Sequence, residues 1–71
     1  MRYFYYTIRI CEHQKYYSYV LRVCENNNLL YILKDIKNAV IVHPCKTKRD
    51  AEAVAFFWND TDRENGRLLE G

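Results

Sequence analysis

The chain has 71 residues, the size of one small domain and too short for two. Apolar residues make up 49% and charged residues 28%, which is globular rather than disordered composition. The net charge of +2 gives no strong basic field. The longest wholly apolar run, Ala53 to Trp58, falls far short of the ~20 residues a membrane helix needs.

Residues 2–12 are dense in aromatic and β-branched side chains and read as a strand. Alternation puts Phe4, Tyr6, Ile8 and Ile10 on one face and Tyr3, Tyr5, Thr7, Arg9 and Cys11 on the other. The first set is the more apolar and is expected to face the core. His13-Gln14-Lys15 is polar and suits a hairpin turn, with no Asn-Gly pair to set its type. Residues 16–25 read as the second strand. Here Tyr17, Tyr19, Leu21 and Val23 alternate with Tyr16, Ser18, Val20, Arg22 and Cys24, and the Arg22 side is expected to be the outer one.

Asn26-Asn27-Asn28 ends that strand, and Asn both caps helices and tolerates left-handed backbone. Leu29, Leu33 and Ile36 recur at helical spacing, which predicts a short helix over residues 29–37. A third strand over 29–33 is the rival, since period alone does not settle so short an apolar run. Ala39 to His43 is β-branched, closes on Pro44 and reads as a strand. Thr47 with Asp50 resembles a capping box. The helix it opens runs over residues 48–64 and stops at Gly66, which suits the C′ position. Its inner stripe is Ala51, Val54, Ala55 and Trp58, flanked by Phe57, and Phe56 falls well off it.

The order is therefore β-β-α-β-α. It implies an α+β fold: an antiparallel hairpin leading a sheet of about three strands, with the C-terminal amphipathic helix packed on one face. Residues 1–69 form the domain, and 70–71 read as an appended remnant. The expected core is Trp58, Val54, Phe4, Ile8, Leu21 and Val23.

Thr47-Lys48, Ala51-Glu52, Ala55, Phe57-Trp58-Asn59 and Asn65-Gly66 resemble the ending of a group of short uncharacterised bacterial proteins. Those are often encoded near mobile elements and end in an acidic-Ala helix, then Phe-Trp-Asn and a later Asn-Gly. The likeness covers about a third of the chain, and Phe56 and Arg67 to Leu69 depart from it. It implies a cytoplasmic protein of unknown role and carries no enzymatic activity with it.

The residues that invite a function are those of the Tyr/Arg face: Tyr3, Tyr5, Arg9, Tyr16 and Arg22. Tyr and Arg anchor protein interfaces, and a contiguous aromatic patch on a small domain needs a partner. Phe56 is a second contact point. The expected function is a non-enzymatic protein-interaction module that binds a protein partner or a second copy of itself, with a homodimer as the economical form. The alternative is weak binding of single-stranded RNA or DNA, with bases stacking on the tyrosines and Arg9 and Arg22 pairing phosphates. The low net charge argues against it.

Other chemistry lacks its parts. Cys11, Cys24 and Cys45 are odd in number, widely spaced and without a C-x-x-C, so reduced thiols are expected and neither a disulfide framework nor a zinc site. His13 and His43 belong to no ligand-spaced pair. Ser18 stands mid-strand without a nucleophile elbow, and Gly66 and Gly71 are the sole glycines, so no phosphate loop exists. The acids of residues 50–64 are expected on the exterior of the helix. The N-terminus has no apolar segment followed by a cleavage site, which fits a cytoplasmic protein. No enzyme, cofactor, metal, membrane or small-molecule substrate is expected.

Overall fold

A computed structural model describes residues 2–70. Residue 71, half of the segment read as a remnant, lies outside the described residues. The elements are β1 (Tyr3–Glu12), β2 (Lys15–Cys24), α1 (Leu29–Leu33), β3 (Ala39–Cys45) and α2 (Lys48–Glu64), in the expected α+β order. Of the helix expected over residues 29–37, only Leu29–Leu33 is helical and 34–38 are turn and bend; Asn28 is its N-cap, accepting from the Leu30 amide at 2.9 Å.

The sheet has the order β2-β1-β3, with β1 antiparallel to both neighbours. The hairpin closes on the pair Glu12 and Lys15, leaving His13 and Gln14 as a two-residue loop. Both have positive φ, 52° and 67°, the pattern of a type I′ turn. That handedness matches the twist of the strands, at the cost of placing two residues with Cβ atoms in left-handed backbone.

The edge of β3 is blunted. Arg9 faces Ile41 while Ile10 faces Ala39, so Val40 is an extra residue and forms a bulge. Pro44 supplies no N–H near the other end. Both features discourage another strand from pairing there.

α2 packs on the sheet along the expected stripe: Ala51 and Ala55 are buried, and Val54 and Trp58 are half-buried. The face it covers is the opposite of the expected one. The Thr7 hydroxyl donates to the Ala51 carbonyl at 2.8 Å, and Asn59 of α2 bonds to Ser18. Helix α2 therefore lies on the Tyr/Arg face. Smallness decides this more than polarity does. Thr7 and Ser18, both fully buried, leave room for Ala51 and Ala55, whereas Phe4, Tyr6, Tyr17 and Tyr19 would hold a helix away. The hydroxyl of Thr7 costs little once it has a carbonyl to donate to.

Strands β2 and β3 are parallel to each other, on opposite sides of β1, so residues 25–38 must cross the sheet. The connection runs over the face that α2 leaves open, where its half-buried apolar residues cover the sheet. Ile8 and Val23 lie on that face and are buried, as expected of the core. Leu21 is half-buried there, and Phe4, expected in the core, is exposed at the margin. Leu29, Ile32, Leu33 and Ile36 are the half-buried residues of the connection, while Leu30 and Tyr31 are exposed.

Candidate interaction surfaces

Helix α2 divides the Tyr/Arg face into two parts with different chemistry. Arg9 and Tyr16 lie under its C-terminal end. Arg9 Nη2 donates to Asp62 Oδ1 at 2.7 Å, and the Arg9 guanidinium sits 3.9 Å from the centre of the Tyr16 ring. Arg67 Nη2 stands 4.0 Å from the same carboxylate oxygen. The Arg9 side chain is 22% exposed and Asp62 is closed to solvent. Among the described residues, Arg9 Nε, Asp62 Oδ2 and Ser18 Oγ are buried without a hydrogen-bond partner.

Asp62 and Asn59 are the residues that sequence reasoning missed. The acids of the helix were expected outside. Asp62, however, falls four residues after Trp58 and continues the stripe of Ala51, Ala55 and Trp58. An acid on an inner stripe, with an Arg on the facing strand, is the signal that could have found it. Asn59 serves the outer edge of β2. Its Oδ1 accepts from the Ser18 amide and its Nδ2 donates to the Ser18 carbonyl, both at 2.8 Å. The side-chain amide thus replaces one residue of a neighbouring strand. Next to it, the Tyr16 amide donates to Arg67 and the Tyr16 carbonyl accepts from Leu69, each at 2.7 Å. Lys15 Nζ donates to the Gly66 carbonyl at 2.7 Å and holds the turn that follows α2. Gly66 has φ +68°, as its C′ position requires.

The other part of the face holds Tyr3, Tyr5 and Arg22, away from Asp62 and Asn59. Tyr3 is 40% exposed, and the Arg22 guanidinium lies 4.4 Å from the centre of its ring. Arg22 is exposed and Tyr5 half-buried. The structure therefore separates the five strand residues into an engaged pair, Arg9 and Tyr16, and an outer group, Tyr3, Tyr5 and Arg22.

On α2, Phe56 is 72% exposed and Phe57 67%. Phe57 was expected to flank the inner stripe. At 100° per residue it lies about 120° from Ala51, beyond the reach of the sheet. His43 meets the edge of the Trp58 ring, with centres 5.9 Å apart, and so has a packing role. The three cysteines are free and half-buried. Among the described residues, no group of three His, Cys, Asp or Glu side chains is placed to hold a metal ion. No described helix is long and apolar enough to cross a membrane.

Neither protein-family models, nor curated proteins, nor solved structures match this chain.

Proposed function

We propose that this chain is a small non-enzymatic protein-interaction module. The observation that carries the reading is the pair Phe56 and Phe57. Both are about two-thirds or more exposed on a helix whose inner stripe is already filled. Single exposed apolar residues are ordinary, but two adjacent phenylalanines turned to water are a contact surface in search of a partner. In this reading Tyr3, Tyr5 and Arg22 form a second contact area. The tyrosines supply buried area, and Arg22 supplies orientation.

The nucleic-acid alternative has less in its favour. Arg9, one of the two arginines it relies on, is held by Asp62, and the net charge stays at +2.

The test compares capture of proteins by the tagged full chain and by the double variant F56S/F57S, with thermal midpoints measured for both. Loss of capture at an unchanged midpoint supports the reading. Identical capture by the two chains overturns it. Salt-sensitive binding of a labelled single-stranded oligonucleotide, lost in R22E, would move the assignment to the alternative.

A further inference from the structure

The outer face of α2 is not only apolar. Its charges are arranged so that the face complements itself. At 100° per residue, Phe56 and Phe57 lie about 100° apart, on either side of a seam marked by Ala53 and Asp60. Arg49 and Glu64 stand at opposite ends of that seam, and Glu52 and Arg63 share the Phe56 flank. Two such helices placed antiparallel, with a two-fold axis crossing between Phe56 and Phe57, bring unlike charges together. Arg49 of one copy comes opposite Glu64 of the other, and Glu52 comes within reach of Arg63, whose guanidinium also holds Asp60 of its own helix at 3.3 Å and so offsets that acid on the seam. Phe56 then meets its own copy on one flank and Phe57 meets its own copy on the other. Ala53, with no side chain beyond Cβ, allows the close approach. A parallel pairing would set Arg49 against Arg49 and Glu64 against Glu64, which is repulsive.

We propose that the partner of this surface is a second copy of the same chain, bound through α2 in an antiparallel two-fold contact. This rests on the reading of the Phe56 and Phe57 face as an interaction surface and names its occupant. Four phenylalanine rings supply on the order of 500 Å² of buried area, about half of the ~1,000 Å² a specific interface needs. The flanking charged side chains and Ala53 supply the rest, so the dimer is expected in the micromolar range rather than tighter. The edges of the sheet are poorer routes to a dimer. β3 carries a bulge and Pro44, and half of β2 is taken by Asn59 and by residues 67–69.

The test is sedimentation equilibrium of the full chain from about 5 µM to about 500 µM. The mass is expected to rise from monomer to dimer across that range. F56S and F57S should each weaken the dimer about tenfold or more. R49E and E64R are the decisive variants, because each favours the helix itself. R49E adds an acid to the first turn and E64R a base to the last, so neither threatens folding. Each alone should weaken the dimer about tenfold, and the double swap R49E/E64R should return it to within about threefold of the original. A wild-type chain that stays monomeric throughout overturns the second-copy assignment. So does a double swap no better than its single variants. The broader reading fails separately, when the wild type stays monomeric and F56S/F57S also captures the same proteins as the wild type.

Discussion

Arg9 on the central strand and Asp62 near the end of α2 are 53 residues apart in the chain, and their side chains meet at 2.7 Å. Asp62 is fully buried and Arg9 partly so, which makes this contact the pin that sets how far α2 slides along the sheet. A buried ion pair adds little net stability over a well-packed apolar pair, because both charges leave water. Breaking it is costly, because the survivor is left buried and uncompensated. D62A is expected to lose about 3 kcal/mol in urea unfolding, and the double variant R9M/D62L to recover most of that. Equal loss in the single and double variants would show that the pair's charges are incidental to the packing.

Asn59 offers a sharper test of edge protection. N59A leaves the Ser18 amide and carbonyl without their partners, which is expected to cost about 2 kcal/mol. N59D keeps the acceptor for the Ser18 amide and turns the donor into a second acceptor facing a carbonyl. It should therefore fall below the wild type as well. Hydrogen exchange at the Ser18 amide, slow in the wild type and fast in N59A, is the direct readout.

The hairpin turn holds stability that the natural residues do not use. His13 and Gln14 occupy positions that favour Asn and Gly. The variant H13N/Q14G is expected to gain about 1 kcal/mol, measured as a shift in the urea midpoint at constant slope. A loss would mean that the His13 or Gln14 side chain contributes contacts of its own.

Tyr19 gives a pH dependence. Burial raises its pKa above the ordinary tyrosine value. Because the folded value lies above the unfolded one, its contribution is complete below about pH 10 and is lost as pH climbs through the folded value. Stability should fall at alkaline pH, and Y19F should flatten that fall. An ultraviolet titration of phenolate formation that shows every tyrosine ionising at the unfolded position would refute the shift.

Much of the architecture follows from local order in the chain. The alternation of residues 3–12 and 15–24, the Asn28 and Thr47 caps and the Ala51, Val54, Ala55, Trp58 stripe depend on hydrogen bonds and side-chain spacing within each segment. They were legible for that reason. The type I′ turn was not, because His13-Gln14 carries none of the usual residues and only the closed strand pairing forces it.

What the tertiary structure alone decided was which face of the hairpin goes beneath α2, and with it the fate of Arg9 and Tyr16. Tyrosines stand on both faces, so hydropathy separates them weakly. The choice fell to fit: Thr7 and Ser18 are small enough to admit Ala51 and Ala55, and Asp62 and Asn59 answer the polar groups buried by that approach. Complementarity of this kind belongs to a pair of surfaces, and neither strand nor helix carries it alone. The sequence by itself determined the elements and the inner stripe of α2. Only packing in three dimensions determined what that stripe would meet.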